Sequence, residues 1–330
     1  MNRRLAFLKP CLAAALAVAL SPVYAQGTTA AAQNYPDKPI RVVVPISAGS
    51  ATDVTARFVA QELGKAWNVT VVVENKPGAG IALGTDIVAK SAPDGYTLLF
   101  TYAAHYSQTM VQPTPYDPVK DFEPIAQLVD TQLVMAVRAD SPFKTVADVI
   151  AAAKQRPGAV SYGFAGIGTT GHMCGALFEK LAQVKLNPVP YKAASQVPID
   201  AASGQTDMMF GGTASAMALI RDGRLRVLAT TGSMPTGALP GIRTLADSGL
   251  PGYEVSSPVW MFAPRGTPPA IVRKLSDELV RIASTPAFKE MTLKLAIDPA
   301  PLKSEALSAR TPREIVKWRR LVDLTQPGGN

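Results

Sequence analysis

The chain has 330 residues, 47% of them hydrophobic and 18% charged, with a formal net charge of +8. That length accommodates two domains, and the composition excludes extended disorder. The Lys and Arg residues are scattered apart from Lys317, Arg319 and Arg320, and no basic run interleaves with aromatics, which excludes nucleic acid as a partner.

Arg3 and Arg4 precede an apolar run over 12–20, and Val23, Tyr24 and Ala25 supply a cleavage site. This pattern predicts a secretory signal peptide over 1–25, cut after Ala25, and an exported protein. No later apolar run approaches the roughly 18–20 residues of a membrane span. Cys11 leaves with the leader, so Cys174 remains without an intrachain partner and is expected as a buried packing residue.

The first element is a strand over 40–44, Ile-Arg-Val-Val-Val, apolar on both faces as a covered parallel strand requires. Pro45 ends it. Ser50 with Asp53 three residues on is a capping-box pattern that starts a helix over 51–65. Asp53, Arg57, Gln61 and Lys65 form one narrow polar stripe on that helix, as for a helix lying on a sheet. A strand over 69–73, a helix over 80–90 and a strand over 96–100 follow. Pro113, Pro115, Pro118 and Pro124 exclude a long helix in the next section.

The alternation restarts after about Asp130, with strands over 132–138, 161–164, 188–191, 207–210 and 226–230 and helices over 145–155, 172–183 and 196–203. A Pro/Gly-rich stretch over 240–252 precedes a strand over 259–263 and helices over 268–284 and 312–324. Such alternation is the grammar of α/β sheets in mostly parallel order. It yields two lobes, each a sheet flanked by helices: residues 35–129 plus 253–330, and residues 130–252. Clefts between such lobes hold small ligands.

Several chemistries are missing. The only histidines are His105 and His172, and there is no His-Glu-x-x-His or Cys-x-x-Cys pattern to hold zinc. Neither a Gly-x-Ser-x-Gly nucleophile elbow nor a nucleotide-phosphate loop occurs. Gly166-Ile-Gly168-Thr-Thr-Gly171 matches a dinucleotide motif by letters, but the next strand ends Val189-Pro-Tyr-Lys192 with no acid for a ribose. No cofactor, metal or catalytic residue is therefore expected. What survives is a glycine loop that lets backbone amides converge on an anion ahead of a helix.

Three loops follow predicted parallel strands, at 45–53, 101–107 and 164–172, where the open edge of an α/β sheet holds ligands. None contains Lys or Arg. A carboxylate there would rest on amides, hydroxyls and helix N-termini, each worth on the order of 1–2 kcal/mol. The candidate ligand-binding residues are Ser47, Ala48, Gly49, Ser50 and Asp53, then Tyr102, Ala104 and His105, then Phe164, Ala165, Gly168, Thr169 and Thr170, and lastly Asp207. Some keep two readings. Asp53 either caps its helix with Arg57 as partner or stands beside the ligand. His105 and Asp207 face either the cleft or an internal partner. His172 reads as a satisfied residue at a helix start, and Trp260 as core.

The segments Tyr35-Pro-Asp-Lys-Pro-Ile-Arg-Val-Val-Val-Pro45, Val73-Glu-Asn-Lys-Pro-Gly-Ala-Gly80 and Pro93-Asp-Gly-Tyr-Thr-Leu-Leu99 resemble the Bug-type solute receptors of tripartite tricarboxylate transporters. Tyr116-Asp-Pro-Val-Lys-Asp-Phe122, Val189-Pro-Tyr-Lys192 and Leu250-Pro-Gly-Tyr-Glu254 extend the resemblance over essentially the whole processed chain. It implies a two-lobed, type II-like periplasmic binding protein, monomeric, that closes on a small organic carboxylate and presents it to a membrane permease without catalysis. It further implies that the loops 45–53 and 164–170 hold the carboxylate. The first loop lacks the family's paired Pro and Gly, and Phe164-Ala165 replaces the usual Ser after the strand's Gly. Both departures add apolar bulk and suggest a ligand smaller or more apolar than citrate. Two other classes stay open: a receptor feeding a sensor kinase, and a secreted hydrolase built on a Ser with His105 or His172.

Overall fold

The computed structural model describes residues 34–326, so the signal-peptide reading at 1–25 lies outside the described residues. Strand β1 (Ile40–Val44) is almost wholly buried, and lies parallel between β2 (Val71–Asn75) and β3 (Thr97–Tyr102). Helix α1 (Ala51–Trp67) starts at Ser50, whose hydroxyl accepts the Asp53 amide at 3.1 Å. Helices α2 (Ala82–Ala89) and α3 (Ala104–Val111) complete the first half.

Strand β4 (Phe122–Arg138) is far longer than its expected span, at 17 residues. Its early portion was hidden by Pro124, which sits at a register shift where a strand tolerates a missing donor. From Phe122 to Gln132 it pairs with β9 (Ser256–Pro264), and from Ala126 to Asp130 with β10 (Asp298–Lys303). From Leu133 onward it pairs instead with β7 (Met208–Gly212) and β8 (Leu225–Thr230). Strand β5 (Ser161–Phe164) lies parallel between β7 and β6 (Asn187–Pro190). The strand order is β2-β1-β3-β9-β4-β7-β5-β6, with β8 and β10 both on β4. Parallel order holds inside the triplets β2-β1-β3 and β7-β5-β6; every pairing made by β4 or β9 is antiparallel.

The change of partners on β4 is tied by side chains. Gln132 donates to the Met234 carbonyl and accepts the Gly232 amide, and the Thr213 hydroxyl donates to the Gln132 carbonyl. The Leu133 amide donates to the Thr231 hydroxyl, while the Thr231 carbonyl accepts the Val255 amide. The outgoing and returning chains are thereby bonded to one another through Thr231.

Helices α4 (Val146–Gln155), α5 (Thr170–Ala182), α6 (Gln196–Ser203) and α7 (Thr213–Arg221) flank the second half. Three further helices follow: α8 (Pro269–Ala283), α9 (Pro286–Lys294) and α10 (Ser304–Thr325). Helix α10 continues past Pro312, and its buried residues Leu307, Thr311, Glu314, Trp318 and Leu321 keep helical spacing across it. Burial of that stripe outweighs the bond lost at proline.

His105 belongs to the core and not to a ligand site. It is fully buried, its Nε2 donates to the Pro118 carbonyl at 2.8 Å, and it stacks on Phe262 at 4.5 Å. Trp260 is likewise buried, its indole donating to Gln127. Cys174 is buried and free, and burial pushes its thiol up to about 12.

Two predictions follow from this packing. A Cβ at Gly175 would collide with the Tyr162 ring, which is pinned by stacking on Phe164 and edge contact with Phe210. Ala is favoured over Gly in a helix by about 1 kcal/mol, but overpacking costs typically 1–3 kcal/mol; Gly175→Ala should therefore lower the melting temperature. The second concerns His105 and Asp130, two groups with opposed pH slopes. Burial holds His105 down at about 4, so the unfolded chain takes up that proton first, and about 3 kcal/mol is lost as pH falls from about 6.5 to 4. Burial pushes Asp130 up to about 6 against the lowering effects of Ser256, Lys317 and Arg310. The folded chain takes up that proton first, and a penalty of about 3 kcal/mol at neutral pH is relieved as pH falls from about 6 to 4. Relative to the wild type, His105→Phe should gain stability on acidification through this window and Asp130→Asn should lose it. Parallel melting-temperature profiles for the three proteins would contradict the assignment.

Candidate functional site

The loop after β1 is built around Asp53, which is 2% exposed. Its Oδ2 accepts the Gly49 amide at 2.9 Å and Arg57 Nε at 3.0 Å, and its Oδ1 accepts Asn75 Nδ2 at 2.8 Å. Asn75 also holds the Ile46 carbonyl and receives Arg57 Nη2 on its own oxygen. Burial alone would raise this carboxyl; Arg57, the Gly49 amide and Asn75 outweigh it and hold it below its usual value. Asp53 is thus an ionised anchor occupied on both oxygens, with Arg57 as the partner that its internal reading expects. It holds Ser47, Ala48 and Gly49 out into solvent, with Ser50 half-buried behind them.

The loop after β5 repeats the device with different chemistry. The Gly168 amide donates to Nδ1 of His172 at 3.2 Å, as the Gly49 amide does to Asp53, in each case four residues ahead. Both glycines sit in the left-handed region, at φ of +79° and +83°, which favours glycine. His172 therefore accepts on Nδ1, and burial lowers its pKa, so it is neutral near pH 7. The Thr169 hydroxyl turns back to the Gly166 carbonyl at 2.7 Å and leaves α5 without a side-chain cap. The amides of Thr170, Gly171 and His172 are consequently without intrahelical acceptors.

Phe164 departs from expectation. It shares a strand face with Tyr162, is 1% exposed, and is sandwiched between Tyr162 and the parallel ring of His172 at 4.9 Å. Its side chain adds no apolar bulk to a cleft; its carbonyl accepts the Gly166 and Tyr191 amides. The apolar side chain that does stand out of this loop is Ile167, 75% exposed. Ala165, Thr169 and Thr170 are half-buried at the rim, as are Tyr102 and Ala104 at the end of β3.

Asp207 is at the wrong edge. It receives the amide and hydroxyl of Ser161, the first residue of β5, whereas the loop at 164–172 leaves the other end of that strand. A residue that precedes a parallel strand stands at the sheet edge opposite the loops that follow strands.

The register shows where these loops point. Tyr102, at the end of β3, aligns through Val259 with Val129 on β4. Gly163 near the end of β5 aligns through Met209 with Ala136, so Phe164 lies level with Met135. The two strand ends face one another across the partner change on β4, about 20 Å apart at 3.3 Å per residue. The end of β7 also reaches this gap, and Gly212 opens α7 without a side-chain cap, with Ala214 and Ser215 exposed. Sequence reasoning missed this fourth loop, although Met-Met-Phe followed by Gly-Gly-Thr-Ala-Ser repeats the wording of a strand, a small-residue loop and a helix start. None of the loops carries Lys or Arg. Among the described residues no cluster of His, Cys, Asp and Glu could hold a metal ion.

A family model described as the tripartite tricarboxylate transporter family receptor matches residues 55–326. A UPF0065 protein in the tcbD-tcbE intergenic region of Pseudomonas sp. (strain P51) is 34% identical, covering 93% of this chain and 91% of the relative. Among solved structures, the periplasmic binding protein BugD is 33% identical with a TM-score of 0.70, over 88% of this chain and 98% of its own. Rpa4515 of R. palustris, solved with adipate, is 28% identical with a TM-score of 0.74, over 88% and 98% of the two chains. MatC from Rhodopseudomonas palustris, solved with bound malate, is 27% identical with a TM-score of 0.69, over 87% and 100%. The chain therefore belongs to the tripartite tricarboxylate transporter receptor family, solute receptors and not enzymes, and has the two-lobed α/β fold of its periplasmic binding proteins.

Proposed function

We propose that this receptor captures a small organic carboxylate in the periplasm and delivers it to a membrane permease. Residues 35–129 with 253–330 form one lobe and residues 130–252 the other, and they close about the partner change at Gln132 and Leu133. The observation that carries this reading is the pair of locked glycine amides. Each lock spends one N–H on fixing its loop and leaves the following helix with amides free for an anion. With no cation in the loops, the ligand carboxylates rest on the N-termini of α1, α5 and α7 and on the hydroxyls of Ser47, Ser50 and Thr170. The adipate and malate held by Rpa4515 and MatC support a ligand of this class.

Thermal-shift titration tests the ligand class directly. Adipate, malate or a short monocarboxylate at about 100 times its dissociation constant should stabilise the protein by roughly 2.7 kcal/mol; a set of small carboxylates that moves nothing would refute the reading. Deletion of the gene should abolish uptake of the acid that binds, and unchanged uptake would refute delivery to a permease. The locks make a separate prediction. Asp53→Ala and His172→Ala should each weaken binding by roughly tenfold or more, about 1.4 kcal/mol, while Asp207→Ala at the far edge leaves binding unchanged.

A further inference from the structure

Helix α10 turns one stripe inward and leaves Val316 69% exposed on the other side. Val316 stands between two adjoining hollows. One, of about 470 Å³, is lined by Leu177 of α5 and by Pro312, Arg313, Val316 and Leu321 of α10. The other, of about 450 Å³, is lined by Ile315, Val316 and Leu324, with Lys180 of α5 on its edge. Arg320 borders both, and Arg319 the second.

The charge on this rim is lopsided. The nearby carboxylates of Glu254 and Glu314 are already bonded to Arg310 and Lys317. Lys180, Arg313, Arg319 and Arg320 enter no ion pair among the described residues, and Asp323 is the one acid left beside them. Two adjoining apolar hollows framed by unpaired cations fit an amphipathic helix whose apolar residues recur at helical spacing and whose flanks are acidic. Recessed hollows with a single protruding valine do not fit a lipid surface, which needs apolar side chains that stand out.

We infer that the face formed by α10 and the middle of α5 docks an acidic amphipathic segment of a partner protein. Leu177 and Lys180 lie roughly two and three helical turns along α5 from its N-terminus, so this face is distinct from the ligand loops and the inference does not rest on the ligand reading.

The test uses the full chain and a synthetic helical peptide with leucines along one face and glutamates elsewhere. A scrambled peptide of the same composition and vesicles of phosphatidylglycerol serve as comparisons. The ordered peptide should bind at low salt, weaken at high salt, and protect α10 and α5 from hydrogen exchange. Val316→Asp and the pair Arg313→Glu with Arg320→Glu should each weaken it by roughly tenfold. All of these side chains are exposed, and unchanged melting temperatures would show the variants folded; if Val316→Asp alone melts early, the charge-reversed pair decides. No peptide binding, equal binding of the scrambled peptide, binding of vesicles in place of peptide, or wild-type affinity in the charge-reversed pair would each overturn the inference.

Discussion

A single unbroken strand serves both halves of the sheet. β4 exchanges β9 for β7 within one residue step at Gln132–Leu133 and β10 for β8 between Asp130 and Val134, and that change sets where the loops lie. Because β3 and β5 each end against β4's neighbours, the register places their following loops on opposite sides of the same gap. The polar ring of Gln132, Thr213, Thr231 and Val255 then joins the outgoing and returning chains. Buried backbone groups at such a junction would be costly if left unpaired, and the Gln132 carbonyl, the Leu133 amide, the Thr231 carbonyl and the Val255 amide are all bonded.

The two locked loops show one physical solution reached by two chemistries. In the first, a carboxylate pulls in a glycine amide and is itself steadied by Arg57 and Asn75. In the second, a neutral imidazole does so and is steadied by the ring of Phe164. The glycines supply the left-handed backbone, and the side chain one helical turn later fixes which way the loop leans. Phe164, foreign to the usual wording of this loop, is thus part of the lock.

Much of the fold was legible. Strand β5 and helix α6 fall on their expected bounds, because a β-sheet run between Gly/Pro punctuation and a short helix ended by Gly204 leave little freedom. The elements that escaped did so for identifiable reasons. Strand β10 contains Pro299 and Pro301 and pairs on one side only, so it reads as loop. Helix α7 is short and rich in small residues, and only Ser284 and Thr285 separate α8 from α9. The candidate loops were legible as strand–loop–helix junctions, and the placement of their side chains less so. His105 and Phe164 lie in the candidate segments but point inward, a matter of tertiary burial that no local pattern encodes. Asp207 could have been excluded from strand direction alone.

The absence of Lys and Arg from all four loops has a consequence for how tightly a ligand is owned. Amides and hydroxyls held in place present dipoles, not net charge, and their grip on a carboxylate is short-ranged, falling off within the first helical turn. Such a trap is also a good lender. Under the proposed delivery, an acceptor that offered even one fixed cation would hold the carboxylate more strongly by charge, and no ion pair on the receptor would have to break first.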